Sequence, residues 1–320
     1  MKTKTDKRQY TDYFKPSAPL QTAVLFLVFN RPDTTKQVFE KIREARPPRL
    51  YVTADGPRKN KEGDAEKCER VREIATTVDW DCEVKTLFRD ENLGCKMAVS
   101  GGIDWFFENE EMGIILEDDC LPNKSFFKFC EKLLYKYEDV QQVMTISGNN
   151  FQPKRRTENS YYFSKYMHCW GWASWRRAWG HFDLEMSEWQ SLKKQNFLSN
   201  LFSNNKAQKY WQNIFNRVFE GEIDSWAYIW QYSIWKEKGV NILPEENLVS
   251  NIGFGEEGTH TSDSNSKLAN IKAEELLFPL KHPSIISLNK QADSYTLNKI
   301  YFNSIWEKIL RKLSLIRLFK

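Results

Sequence analysis

The 320-residue sequence predicts an α/β fold with a mostly parallel central sheet flanked by helices. Three observations predict it. Short apolar runs alternate with helical patterns from Thr22 to Ser147, each run stops at a polar or glycine-containing turn, and the run Gly113–Leu116 is apolar enough for a strand buried on both faces. That last run ends in three consecutive carboxylates, Glu117, Asp118 and Asp119. Open α/β sheets bind ligands beyond the carboxyl ends of their strands. Three mutually repelling acids at such a position need a compensating cation.

In chain order, residues 1–20 are read as a flexible arm, because Met1 to Lys15 is polar and lysine-rich. With no apolar core in that stretch, neither a signal peptide nor an anchor is expected. Thr22–Phe29 is the first strand, stopped by Asn30-Arg31-Pro32-Asp33. Thr34 with Gln37 reads as a capping box, and Val38, Phe39 and Ile42 supply the buried face of the next helix. Strand Arg49–Ala54 ends at Asp55-Gly56-Pro57, residues 64–78 are helical, and strand Glu83–Phe88 precedes a helix over residues 93–107. After the acidic strand come helix Lys124–Tyr137 and strand Val143–Ser147.

Beyond Phe151 the composition changes: nine of the twelve tryptophans fall between Trp170 and Trp235, with no repeat to account for them. Residues 161–183 are expected to form strand, loop and short helix, residues 188–238 two or three helices, and 240–243 a strand. Trp175 and Trp179 share a helical face and are assigned to the core. The polar, glycine-containing stretch 253–267 has the chemistry of a mobile loop. The last segment, residues 291–320, carries Ile305, Trp306, Ile309, Leu310, Leu313 and Ile316 on one helical side, with Lys and Arg around it. Docking on the core and lying in an anionic membrane surface both suit that pattern.

Composition excludes some classes. Forty-seven basic against 43 acidic residues, without a concentrated basic stripe, give no nucleic-acid signature. The six cysteines show no metal-ligand spacing and are expected to be reduced, which favours a cytoplasmic setting. No apolar run approaches the roughly 20 residues of a membrane-spanning helix.

In a strand, Glu117 and Asp119 would point one way and Asp118 the other. One carboxylate on a hard divalent cation, with the others on hydroxyls or water, is the natural arrangement; a solvent-facing acidic loop is the plainer alternative. Asp55 ends a neighbouring strand along the same crevice, and could equally serve only to open its Asp-Gly-Pro turn. Arg31, after the first strand, is a candidate base or phosphate contact or a surface residue.

The succession Phe29-Asn30-Arg31, Ala54-Asp55-Gly56, Asn92-Leu93-Gly94 and Ile115-Leu116-Glu117-Asp118-Asp119 resembles a GT-A glycosyltransferase, whose signature is an acidic DxD-type motif after a sheet strand. Glu117-Asp118-Asp119 with Ile146-Ser147-Gly148-Asn149-Asn150 is similar to N-acetylglucosaminyltransferase I, and Asn92-x-Gly94 to the wider glycosyltransferase family 2. In the second half Trp170-Gly171-Trp172, Asp224-Ser225-Trp226 and Leu248 to Gly255 continue the likeness, which covers roughly residues 22–262.

The resemblance implies a GT-A nucleotide-diphospho-sugar transferase fold, with residues 21–150 binding the nucleotide sugar and 151–290 forming a Trp-rich, helical acceptor half. It implies Asp119 as the direct ligand of Mn²⁺ or Mg²⁺, Glu117 and Asp118 on sugar and ribose hydroxyls, Asp55 on the N3 hydrogen of a uracil-like base, and Arg31 and Asn92 at the nucleotide. The donor would then be UDP-linked. The family's catalytic carboxylate aligns with Ser225, a poor base, so the role passes to Asp224, with Glu222 in reserve; Asp224 could instead cap the helix starting near Trp226. His260 could ligate the metal or a phosphate, and Trp170, Trp172 and Trp226 could floor an acceptor site.

The expected function is metal-dependent, inverting transfer of a sugar from a nucleotide diphosphate to a saccharide or lipid-linked saccharide in bacterial surface polysaccharide synthesis. The setting would be the cytoplasm, with peripheral membrane contact through the basic tail. A sugar nucleotidyltransferase is the closest rival, although Phe29-Asn30-Arg31-Pro32 lacks the glycines of its phosphate loop. A non-catalytic carbohydrate-binding protein is the rival that Ser225 permits.

Overall fold

The computed structural model describes residues 19–254, 268–269 and 271–302. Strands β1 (Val24–Val28), β2 (Arg49–Ala54), β3 (Glu83–Phe88) and β4 (Met112–Glu117) alternate with helices α1 (Pro32–Ala45), α2 (Asp64–Thr76) and α3 (Gly94–Asn109). A short β5 (Cys120–Pro122), α4 (Lys124–Lys136) and β6 (Val143–Ser147) follow. The Trp-rich half contributes β7 (Tyr161–Ser164), β8 (Trp172–Trp175), helices α5 (Arg176–Trp179), α6 (Trp189–Lys194), α7 (Phe197–Leu201), α8 (Asn205–Phe219) and α9 (Trp226–Lys236), and strands β9 (Val240–Pro244) and β10 (Val249–Asn251). Helix α10 (Lys290–Tyr295) runs into a π-helical turn, Thr296–Tyr301.

Eight strands form one sheet in the order β3-β2-β1-β4-β8-β6-β9-β7, so the two halves share a single sheet. Every residue of β1 is buried, which requires cover on both faces, and helices supply it. The sheet is mixed. Strand β8 runs antiparallel between β4 and β6, and β7 runs antiparallel to β9 at the edge. Inserting β8 between β4 and β6 lets Trp172–Trp175, a fully buried run, hydrogen-bond on both sides.

Two local readings are corrected. Helix α1 starts at Pro32 rather than after Thr34, because a proline's fixed φ and missing N–H suit the first helical turn. Thr34 Oγ1 therefore donates back to the Arg31 carbonyl instead of capping. Residues 188–238 hold four helices, not two or three, since α6 and α7 are single-turn pieces.

The tryptophans explain the second half's packing. Trp172, Trp175, Trp189, Trp211, Trp230 and Trp235 are among the largest fully buried side chains, each removing roughly 150–250 Å² from water. Residues 291–302 dock on this half through Ala292, Asp293, Leu297 and Phe302. The apolar pattern over 305–316 lies outside the described residues. Among those described, no helix is long and apolar enough to cross a membrane.

Candidate active site

The acidic triplet stands at the carboxyl edge of the sheet, where Leu27 of β1 pairs in register with Glu117. Strand β4 stops at Glu117, and Asp118 and Asp119 form a turn before β5. Strict alternation therefore ends at Glu117, and the expected division of side chains between two faces does not extend to Asp119. Asp118 accepts a 3.2 Å bond from the Phe29 amide at Oδ2. Arg31 Nη1 lies 2.8 Å from Asp119 Oδ2 and 3.6 Å from Asp118 Oδ1. The compensating cation read from the sequence is, within the protein itself, this guanidinium.

Burial disfavours the charge on Arg31, yet Asp118, Asp119 and Glu117 outweigh it and hold its pKa above the usual value. Removal from water pushes Asp118 above the ordinary carboxylate range, against the pull of Arg31. The same loss of water, reinforced by Asp119 and Asp118, raises Glu117. One arginine does not neutralise three acids.

Asp119 is held closely. Its carbonyl accepts from the Ile252 amide at 2.8 Å, Cys120 Sγ lies 3.4 Å from its Oδ1, and β10 pairs Asn251 with Cys120. A side-chain carbon at Gly253 would collide with the Asp119 carboxylate, so only glycine lets the chain pass there.

Asp55 is placed differently. It is 7% exposed, and its Oδ1 accepts from the amides of Gly56 and Leu93, both at 2.9 Å. Its Oδ2 accepts from Asn92 Nδ2 at 3.0 Å and from the Gly94 amide at 3.1 Å. Asn92 Nδ2 also reaches the Gly56 carbonyl at 2.9 Å. Asp55 and Asn92 thus brace the start of α3 against the end of β2, satisfying amides that a helix start leaves open. A base N3–H reaching Asp55 has to displace one of these donors.

Gly94 has φ +81°, the left-handed region, and a methyl carbon there would sit 3.3 Å from Asp224 Oδ2. Asp224, about a hundred residues after the triplet, therefore rests on the start of α3. Both Glu117 and Asp224 act electrostatically on Cys95, whose thiol burial lifts to about 12. Asp224 is exposed and Ser225 takes the N-cap position of α9 without a side-chain cap, so Asp224 is not spent on capping. Glu222 is exposed and bonded to Arg217 Nε at 2.9 Å at the end of α8.

The tryptophan reading needs correction. Trp172 and Trp226 are 1% and 3% exposed and stack on each other at 5.7 Å, so they belong to the core and offer no face to a ligand. Trp170 alone of the three is partly open. Sequence reasoning missed its partners: Phe151 stands edge-on to it at 4.9 Å and Phe254 at 5.7 Å. Phe254 follows Gly253, so this aromatic wall adjoins Asp119 directly. The pair Phe151 and Phe254 carried no periodic signal, although Phe151 directly follows Gly148-Asn149-Asn150 and Phe254 lies within the Leu248 to Gly255 stretch already noted. His260 lies outside the described residues.

Among the described residues, no three His, Cys, Asp or Glu side chains are arranged to hold a metal ion. The triplet supplies hard carboxylate oxygens, which suits a cation that takes one or two protein ligands and completes its shell with phosphate and water.

No protein-family model and no curated protein matches the chain. Solved structures similar to it include a mannosyltransferase from Pyrobaculum calidifontis in complex with GDP-mannose and Mn²⁺, at 14% identity and TM-score 0.33 over 52% of this chain and 48% of that one. A UDP-glucose pyrophosphorylase complexed with UDP-glucose matches at 14% identity and TM-score 0.25, over 45% of this chain and 62% of that one. A 4-diphosphocytidyl-2C-methyl-D-erythritol synthase from Anaerococcus prevotii matches at 7% identity and TM-score 0.38, over 76% and 97%. The chain spans about half the length of the mannosyltransferase it matches.

Proposed function

We propose that this chain is a GT-A glycosyltransferase that uses a nucleotide-diphosphate sugar and a divalent cation, with inversion at the anomeric carbon. The observation that carries the reading is the juxtaposition at one sheet edge of a crowded, under-neutralised acidic triplet and a separate exposed carboxylate, Asp224, resting on the start of α3.

In this reading Asp119 holds Mn²⁺ or Mg²⁺, which when bound would neutralise diphosphate oxygens as the leaving group departs. Arg31 turns from the triplet toward the nucleotide diphosphate, and Glu117 and Asp118 accept from hydroxyls of the donor. Asp224 removes the proton from an acceptor hydroxyl, and that oxygen attacks the anomeric carbon from the side opposite the diphosphate. The partly open face of Trp170 receives a sugar ring. His260 is a reserve metal or phosphate contact. The acceptor is a saccharide or lipid-linked saccharide of a bacterial surface polysaccharide, met at the cytoplasmic face of the membrane. UDP is the expected carrier through Asp55, at the cost of one bracing bond.

Release of nucleoside diphosphate from UDP-glucose, UDP-N-acetylglucosamine and GDP-mannose, with and without Mn²⁺, tests the reading. Turnover should require the cation and fall on the order of a thousandfold in Asp119→Ala and in Asp224→Asn. Full activity in both variants would remove the assigned site.

A further inference from the structure

The sheet edge holds a second polar feature that the reaction scheme leaves unused. Register across β4, β8 and β6 aligns Ile115, Trp172 and Ser147. Two residues further toward the carboxyl edge of the parallel strands come Glu117, Trp170 and Asn149. The Trp170 amide donates to Asn149 Oδ1 at 3.2 Å, which fixes Asn149 on the far side of Trp170 from the triplet.

Asn149 is fully buried and His168 is 5% exposed. Asn149 Nδ2 and His168 Nε2 are both sealed from solvent with no hydrogen-bond partner. Other buried atoms share that condition, including the indole nitrogens of Trp172, Trp211 and Trp230, but those are single donors in an aromatic core. Here a donor and an acceptor belong to residues already bonded to one another. His168 Nδ1 lies 3.3 Å from the Asn149 carbonyl. A carbonyl only accepts, so Nδ1 carries the proton and Nε2 presents a lone pair. Burial lowers the His168 pKa to about 4, which keeps the ring in this neutral form at pH 7. The His168 amide is fixed in turn by Ser147 Oγ at 3.0 Å.

The two atoms therefore offer one donor and one acceptor, the complement of a hydroxyl group, which accepts once and donates once. A partly exposed ring lies beside the pair: Phe151 packs on the His168 ring with centroids 4.5 Å apart and stands edge-on to Trp170. Orphaned buried polar groups cost stability, so their retention next to the partly exposed rings of Phe151 and Trp170 points to a ligand.

We propose that Asn149 Nδ2 and His168 Nε2 read a hydroxyl of a saccharide ring that seats against Trp170, with Phe151 swinging aside as the ring enters. This rests on the proposed function for the identity of the saccharide as substrate, and the hydroxyl belongs either to the donor sugar or to the acceptor.

Asn149→Asp removes the donor while keeping Oδ1 for the Trp170 amide, and His168→Phe removes the acceptor while keeping the ring under Phe151. Calorimetric affinities of both variants are compared with the wild type for UDP, for UDP-glucose and UDP-N-acetylglucosamine, and for methyl glycosides with their singly deoxygenated analogues. Loss of about tenfold for the nucleotide sugars with UDP unchanged assigns the hydroxyl to the donor. The same loss for a methyl glycoside alone assigns it to the acceptor. In either case the wild type should discriminate against one deoxy analogue that the variants no longer distinguish. Should a variant fail to fold, the wild-type His168 Nε2 nitrogen resonance replaces it, and it must shift when the glycoside or nucleotide sugar is added. Unchanged saccharide affinity in folded variants, an Nε2 resonance unmoved by a bound saccharide, or a wild type that binds no saccharide in either form overturns the proposal. Absence of UDP and nucleotide-sugar binding with intact glycoside discrimination would instead defeat the donor-using reading alone.

Discussion

Asp55 and the Glu117-Asp118-Asp119 triplet stand at the same edge of the same sheet, two strands apart, and the protein treats them in opposite ways. Asp55 is surrounded by donors, three from the main chain and one from the Asn92 side chain, and the three main-chain amides are ones that the start of α3 or the turn after β2 would otherwise leave open. The triplet packs three carboxyl groups around one guanidinium, and two of its members are pushed above the normal carboxylate range. A buried charge supplied with partners builds structure; one left short of them is held for something that arrives later. Exposure alone does not separate the two cases, since Asp55, Asp118 and Asp119 are buried to similar degrees.

Substitutions sharpen the contrast by dividing turnover from stability. The largest effect is expected for Asp224→Asn, which should lower nucleoside diphosphate release by about 10²- to 10⁴-fold while leaving the urea midpoint nearly unchanged. Asp55→Ala should act on the other side, costing about 3 kcal/mol in urea unfolding because several buried amides lose their acceptor. Equal stability of that variant and the wild type would break the distinction drawn above. Gly94→Ala should cost about 1–2 kcal/mol through its left-handed backbone and also lower turnover, because the added methyl presses on Asp224. Glu117→Gln is expected to raise cation-free stability by about 1 kcal/mol, whereas Asp119→Asn is expected to abolish the benefit of added Mn²⁺ in a thermal scan.

A third buried carboxylate gives the most gradual effect. Asp293 accepts from Ser164 Oγ at 2.5 Å and from the Lys165 amide at 3.3 Å, yet burial still raises it from 3.8 to about 6. Between those values the folded state holds a proton that the unfolded chain has lost. Its contribution therefore favours folding at pH 4 and is withdrawn as the pH rises through 6, by about 2 kcal/mol. The stability difference between wild type and Asp293→Asn, measured from pH 4 to 8, should follow that curve and level off above pH 7.

Local pattern was enough for much of the fold. Strands β2, β3 and β6 stand where their apolar runs place them, and the triplet's position at a strand end followed from an apolar run meeting three acids. The antiparallel β8 was not legible, because a buried strand looks alike in either direction. The meeting of Asp224 with Gly94 depends on how α9 packs against α3, a contact between segments more than a hundred residues apart. Trp172 and Trp226 showed that tryptophan content says nothing about which ring faces outward. Asn149 and His168 were invisible for a related reason: an unpartnered atom is defined by what surrounds it, and nothing in a run of letters records that. Asn92 and Gly94 were noticed as a motif, but their bond to Asp55 required β2 and α3 to be adjacent.

The reversed direction of β8 has a consequence for how such a chain can diversify. Loops that follow the parallel strands carry the triplet and Asp55, whereas the segment leading into β8 arrives at the same edge from the opposite direction and carries Trp170, with Phe151 and His168 upstream. The connections on either side of β7, between β6 and β8, can therefore change at one wall of the crevice without disturbing the β1–β4 pairing beneath the acids. Inheritance of the two walls is separable, and descendants of one ancestor could keep the chemistry of the acidic wall while drifting in what they select at the aromatic one.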